Sequence, residues 1–284
     1  MVVLVTGKNG QLGQALQKVA KAHSDIQFVF TDSTTLDITD KDNCQSVFDA
    51  LKPDFCINTA AYTAVDRAES ESDLAYKVNT EGVKNLAESC KKHQTILIHI
   101  STDFVFDGGK EVPYTEEDQP NPESVYGKTK LKGEKEVQQL LQKYYIIRTS
   151  WVYSEFGNNF FKTMLRLASE KDSLNVVNDQ IGTPTNANCL ANVLVHILRH
   201  STSGSQPDFG IYHFSNEGSC SWYEFARKIF ELKAIDIELN PIPTTAYPTP
   251  AIRPRYSVLD KTKIKTIFDL TIKTWEESLK SIIV

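Results

Sequence analysis

The sequence has little that would tie it to a membrane, a nucleic acid or a metal. No stretch approaches the roughly 18 uninterrupted apolar residues of a membrane helix. The first residues, MVVLVTGKNG, lack the basic segment and cleavage site of a secretory leader, and a cytoplasmic protein without a membrane partner is the expectation. Basic residues are outnumbered, 31 Lys and Arg against 36 Asp and Glu, for a net charge of −5. A general nucleic-acid binder needs a basic face, so no nucleic-acid partner is expected. An anionic small molecule stays open, because a few local cations can hold one. Cysteine is scarce and scattered. Cys44, Cys56, Cys90, Cys189 and Cys220 include no CxxC pair, which argues against a disulfide framework or a zinc site. Cys56, inside the apolar run DFCINTAA, reads as a small buried hydrophobe. His and carboxylates fall at no ligand spacing, and no catalytic metal is expected.

The 284 residues have the ordinary make-up of a globular chain, 40% hydrophobic and 24% charged. In the first half, short apolar runs alternate with amphipathic ones. VVLVT (2–6), QFVFT (27–31), DFCIN (54–58), TILIHIS (95–101) and YYIIRTS (144–150) have the pattern of buried strands. Helical spacing separates them over 11–22, 40–51 and 74–92, with another helix before the fifth strand. Strands apolar on both faces, alternating with helices, specify a parallel sheet covered on both sides. The second half is less regular, with helical patterns over 162–170, 187–199 and 222–232. Pro241, Pro243, Pro248, Pro250 and Pro254 exclude a helix or a central strand between 240 and 256. With Tyr247, Arg253 and Tyr256 among them, that segment reads as an ordered loop near a site.

Strand 2–6 runs directly into Gly7-Lys8-Asn9-Gly10-Gln11-Leu12-Gly13. Three glycines three apart, between a strand and a helix, suit a sharp turn whose backbone N–H groups receive a pyrophosphate. The second strand ends at Asp32, 19 residues after Gly13, where an acid can accept hydrogen bonds from a ribose. A turn or cap Asp is the plainer alternative. Further on, Asn121 and Pro122 read as the cap and first residue of a helix. Tyr126 and Lys130 follow on one face of it. A tyrosine is a poor acid near pH 7, and an adjacent ammonium makes its phenolate more accessible. A surface Tyr–Lys pair is the bland alternative. Thr102, at the carboxyl end of the fourth strand, stands where a ligand-binding hydroxyl belongs, or merely caps a turn.

Taken together, GxxGxxG, Asn58-Thr59-Ala60-Ala61, Asn79 with Gly82, Thr102, and Tyr126 with Lys130 resemble the extended, sugar-nucleotide branch of the short-chain dehydrogenase/reductase superfamily. The segments NTAAYTAVDRAESE, STDFVFDG, VYGKTKLKGE, RTSWVY, GNNFFKTMLRLA, NDQIGTPT and PTTAYPTPAIRP are similar to the dTDP-4-dehydrorhamnose reductase family, from residue 1 to about 260. The resemblance implies a Rossmann-like, doubly wound parallel α/β sheet with a smaller C-terminal substrate-binding domain. Residues 1–150 would hold NADPH or NADH, part of 187–210 would return to that domain, and 151–284 would mainly hold the substrate. The reaction would be reduction of the 4-keto group of dTDP-4-dehydro-L-rhamnose. Gly7, Gly10, Gln11, Leu12 and Gly13 would carry the pyrophosphate, and Asp32, Asp37 and Ile38 the adenosine end. Ala61, Tyr62 and Thr63 would line the nicotinamide side. Tyr126 would donate the proton, with Lys130 beside it and Thr102 steadying the developing alkoxide. Thr102, Asp103 and Trp151 would contact the sugar. Arg253, with Asn159 second, is the candidate for the diphosphate, although a structural ion pair suits Arg253 equally well. Many relatives have His where Tyr62 stands. Alternatives are a sugar-nucleotide epimerase or a non-catalytic regulatory subunit on the same fold. A 4,6-dehydratase would need an acidic pair after Thr102, and Phe104 breaks it. A homodimer is left open.

Overall fold

Five strands from the first half form most of one sheet: β1 (Val2–Thr6), β2 (Gln27–Phe30), β3 (Phe55–Asn58), β4 (Ile96–Thr102) and β5 (Tyr144–Thr149). This computed structural model describes residues 1–203 and 208–283. The strand Gly210–His213 adds the sixth member beside β5. Every pairing is parallel, and the order across the sheet is 210–213, β5, β4, β3, β1, β2. The winding direction reverses after only two strands, so the crevice of a doubly wound sheet opens between β1 and β3.

The doubly wound α/β expectation holds, and the side chains explain why. Val3 and Val5 of β1 point into one layer with Leu12 and Leu16 of the helix Gln11–Ala20, and with Leu190 and Leu194 of the helix Ala187–Thr202. Leu4 points the other way, among Phe48, Leu86 and Val137. A strand covered on both faces has no polar side, hence the unbroken apolar runs. Cys56 lies wholly buried in the second layer. A third cluster, centred on Tyr153, Phe161, Phe225, Ile229 and Trp275, packs the second half. There Glu238–Ile242 pairs in parallel with Ser173–Val177, and Pro241 stands opposite Val176. A two-stranded ribbon has only outer strands, which is why proline is tolerated within it.

Two local readings need correction. The helix carrying Tyr126 and Lys130 starts at Val125, not at Pro122. Its cap is Ser124, whose Oγ accepts from the Gly127 N–H at 3.1 Å. Asn121 instead donates its amide to Asp107 Oδ2 at 3.1 Å. The expected helix over 74–92 is also not continuous. It runs α over Ser72–Tyr76, widens to a π turn over Lys77–Glu81, and resumes α over Gly82–His93. The widened turn lets Asn79 and Thr80 reach neighbours that a regular helix would deny them. Thr80 Oγ1 donates to the Thr129 carbonyl at 3.0 Å. Among the described residues, no helix is long and apolar enough to cross a membrane, and no three His, Cys, Asp or Glu side chains group as metal ligands.

Candidate active site

The carboxyl ends of β1, β2 and β3 bound a cleft of about 320 Å³. Gly7, Gly10, Asp32, Asp37, Ile38 and Ala61 line it. Gly7 has φ +71°, and a Cβ there would lie 2.8 Å from the Ala60 nitrogen, so the turn requires glycine. At Gly13 a Cβ would meet the Gly7 carbonyl oxygen at 2.3 Å, so the helix can start this close to the strand only without a side chain. Gly10, the helix N-cap, has an extended backbone, and a Cβ there would meet nothing nearer than the Gly7 carbonyl oxygen at 3.4 Å. The first N–H groups of the helix, at Gln11, Leu12 and Gly13, have no partner inside it. A floor of glycine below a helix N-terminus fits a pyrophosphate.

Asp32 lies at the cleft edge in an ion pair with Lys8 at 2.9 Å. The Thr34 hydroxyl and the Lys8 ammonium hold its carboxyl far below the usual carboxylate range. Asp37 accepts from both N–H and hydroxyl of Thr39, and Ile38 is buried against Gly82. The loop after β3 is clamped by Asn79, whose Oδ1 accepts from the Tyr62 N–H at 2.9 Å and whose Nδ2 donates to the Tyr62 carbonyl at 3.0 Å. The clamp turns Tyr62 outward, where its hydroxyl donates to Glu71 Oε2 at 2.6 Å. Tyr62 and Thr63 stand on this loop beyond the cleft lining, and Thr63 is exposed.

Thr102 ends β4. Its hydroxyl donates to Asp103 Oδ1 at 3.1 Å and accepts from the Phe104 N–H at 3.2 Å, capping the turn Asp103–Val105. Capping and site geometry therefore coincide. Half-buried Tyr126 packs against this turn. Its ring meets Phe104 edge-on, centroids 5.5 Å apart, and its phenol lies by the Thr102 hydroxyl. Burial pushes that phenol up to about 12, partly offset by Thr102. Asp103 is buried, and its carboxyl rises to about 6 for the same reason. Lys130 is buried one helical turn beyond Tyr126 and donates to the Ile100 carbonyl at 2.6 Å. Burial lowers it to about 8.

The second half contributes unevenly. Trp151 follows β5 at the same edge with φ +46°, unusual for a bulky residue and a mark of functional sites. Its indole is stacked on Trp222 at 3.5 Å, with Gly182 too close beneath to carry a Cβ. Asn159 is committed to structure. It caps the helix Phe160–Ala168 and donates to Gln11 Oε1 at 2.8 Å, tying the second half to the phosphate loop. Arg253 makes a two-pronged pair with Asp66, at 2.9 and 2.7 Å, and holds the proline-rich loop to the loop after β3.

Several site neighbours escape a strand-and-motif reading. His99 and Ser101 alternate with Ile98 and Ile100 on β4, and so face the Tyr126 helix. His99 Nε2 lies 3.3 Å from Lys130 Nζ, and Ser101 donates to Glu134, which pairs with Arg148 at 2.7 Å in full burial. The signal is the polar pair two apart inside TILIHIST, matched by Lys130 and Glu134 four apart on the helix.

A parallel doubly wound sheet, a glycine-floored cleft at its switch point, and Thr102, Tyr126 and Lys130 at the same edge define the short-chain dehydrogenase/reductase class. The sequence matches the family described as RmlD substrate binding domain over residues 1–284. It is 45% identical to the dTDP-4-dehydrorhamnose reductase of Aggregatibacter actinomycetemcomitans, over 99% of this chain and 97% of that protein. The crystal structure of a dTDP-4-dehydrorhamnose reductase from Clostridium acetobutylicum superposes with a TM-score of 0.92 at 44% identity, covering 100% and 98% of the two chains. The Bacillus anthracis dTDP-4-dehydrorhamnose reductase, solved in complex with NADP, gives 0.93 at 40% identity, covering 99% and 98%. The chain belongs to the dTDP-4-dehydrorhamnose reductase family.

Proposed function

We propose that this chain reduces the 4-keto group of dTDP-4-dehydro-L-rhamnose with NADPH or NADH, giving dTDP-L-rhamnose. The observation that carries the reading is the convergence of Thr102, Tyr126 and Lys130 beside a cleft shaped for a dinucleotide, in a member of this family. Residues 1–150, joined by the returning segment 187–210, serve the cofactor, and 151–284 mainly serve the sugar nucleotide. The backbone of Gly7, Gly10, Gln11, Leu12 and Gly13 receives the pyrophosphate. Asp32 meets the ribose, Asp37 and Ile38 the adenosine end, and Ala61, Tyr62 and Thr63 the nicotinamide side. Reduced nicotinamide supplies the hydride when bound.

The chain's own work is electrostatic. Negative charge develops on the ketone oxygen, and the hydroxyls of Thr102 and Tyr126 donate to it, Tyr126 passing on its proton. Its high proton affinity keeps Tyr126 a phenol at neutral pH, the form a proton donor needs. Lys130 orients the cofactor ribose and takes part in the Tyr126 proton balance. Asp103 and Trp151 contact the sugar. The Asp66 pair favours a structural role for Arg253, which shapes the loop over the site, and Asn159 acts by holding Gln11.

The test is oxidation of NADPH or NADH at 340 nm, with substrate generated in place from dTDP-glucose by the two preceding enzymatic steps. Tyr126→Phe is expected to lose ~10²–10⁴-fold in kcat. Folded wild-type protein that turns over with neither cofactor would sink the substrate assignment. NAD retained through purification would then point to an epimerase.

A further inference from the structure

Trp151 lies two residues past Thr149, the partner of Thr102 across the sheet. Its backbone is pinned at two points. The Ser150 hydroxyl donates to the Thr183 carbonyl at 2.7 Å, and the Thr185 N–H donates to the Trp151 carbonyl at 3.2 Å. A two-stranded ribbon, Ile181–Gly182 paired antiparallel with Cys220–Ser221, then closes on the indole from both sides. Trp222 follows the second strand and stacks on Trp151, ring centroids 3.5 Å apart and planes within 8°. Gly182 belongs to the first strand. A Cβ there would stand 2.5 Å from Trp151 Cε2, and 2.7 and 2.8 Å from its bonded neighbours Cζ2 and Nε1. A point nearer the middle atom of such a trio than either end lies over the ring face, not at its rim. Stacked rings leave no space between them for an atom, so Gly182 covers the face opposite Trp222.

Both indoles stay partly exposed, at the margin of the cluster around Tyr153 and Phe225. Core burial alone therefore does not account for the sandwich. Trp222 is itself held firmly. It opens the helix Trp222–Lys233 behind a reciprocal Ser221–Glu224 cap, and the Ser221 hydroxyl donates to Asn178 Oδ1 at 2.9 Å. We propose that Trp222 is a positioning residue that, with Gly182 opposite, presets the angle at which Trp151 meets the sugar of the sugar nucleotide. An indole free to turn would lose that freedom on binding and weaken it, whereas a clamped one has none to lose. The inference rests on the reading of Trp151 as a sugar contact.

The test is calorimetric titration of dTDP-L-rhamnose into enzyme saturated with NADP⁺, with Tm measured alongside. Trp222→Leu should raise Kd about tenfold, the upper worth of an aromatic contact, while Trp222→Phe, which can still stack, should stay within about threefold. Gly182→Ala puts a methyl group against the indole from the other side and should weaken binding like Trp222→Leu. In a Trp151→Ala background, Trp222→Leu should cost nothing further, because it acts through Trp151. A merely structural role would lower Tm and leave Kd in place. The stack is read without any ligand. Trp151, Trp222 and Trp275 are the three tryptophans, so each indole N–H resonance is assigned by its loss in one variant. That of Trp151 should shift when Trp222→Leu removes the shielding ring. An unmoved resonance, or an unmoved Kd in folded Trp222→Leu and Gly182→Ala, overturns the inference and leaves the reductase reading standing. Wild-type protein that does not bind dTDP-L-rhamnose overturns that reading, and this inference with it.

Discussion

Gly127→Ala tests how closely the Tyr126 helix must seat. A Cβ at Gly127 would lie 2.2 Å from the Phe104 carbonyl oxygen, where ordinary contact begins at 3.4 Å. Helix and turn must therefore separate by about 1 Å. Whichever side yields, Tyr126 on the helix parts from Thr102, which caps the turn. Misplacement of a catalytic group by ~1 Å can cost ~100-fold, so kcat/KM should fall by about that factor. Overpacking of this kind costs ~1–3 kcal/mol, or about 2–4 °C of Tm per kcal/mol in a chain of this size. The dinucleotide cleft is lined by other residues, so NADPH affinity, read from its fluorescence, should hold within about twofold. The assay is NADPH oxidation on purified variant with Tm measured alongside. Activity within about threefold of wild type would refute the seating argument, as would a loss of NADPH binding as large as the loss of turnover.

Thr102→Val removes one donor to the developing oxyanion and should lower kcat by ~10²–10³, whereas Thr102→Ser should retain most of it. Asp103 contributes a pH signature to stability. Its carboxyl titrates near 6 when folded, above its ordinary value of 3.8, so its contribution is fully present below about pH 4 and is lost as pH rises through 6. The loss amounts to ~3 kcal/mol. Asp103→Asn should therefore gain Tm relative to wild type between pH 4 and pH 7, and a flat difference would count against the burial argument. Lys8→Ala leaves the Asp32 carboxylate without its counter-charge, and should raise KM for NADPH ~2–5-fold more than KM for NADH, since only NADPH brings a 2′-phosphate.

The sheet was legible because β1 and β3, and the first halves of β4 and β5, are apolar on both faces. The phosphate loop was legible because its requirements are local: glycine where φ is positive, glycine where a helix abuts a strand. What the sequence hid depends on partners far along the chain. Asn121 and Ser124 are equally good caps by residue type. Asp107, which takes the Asn121 amide, decides between them. The π turn answers to Tyr62 and Thr129, at 17 and 50 residues from Asn79. Arg253 suits a diphosphate or a carboxylate equally well until Asp66, 187 residues away, is seen in its grip.

The buried pair Glu134–Arg148 raises the question of what such a pair is for. Glu134 is fully buried and Arg148 nearly so. Well-packed apolar residues in place of a buried pair are commonly neutral or stabilising by ~1–4 kcal/mol, whereas removing one partner alone costs ~3–5 kcal/mol. Stability alone is therefore a poor reason for its presence. Rotation is a better one. Lys130 and Glu134, one helical turn apart, anchor to the Ile100 carbonyl, to Ser101 and to Arg148. A slip of one residue turns a helix by about 100° and would carry both anchors away, and Tyr126 with them. An apolar contact would not resist that rotation so strictly. Arg148→Met alone should lower stability by ~3–5 kcal/mol in urea unfolding. The double variant Glu134→Met, Arg148→Met should recover most of that, yet stay at least tenfold below wild type in kcat, with NADPH affinity kept. Full recovery of kcat together with stability would show that the pair does not set the angle at which Tyr126 meets its substrate.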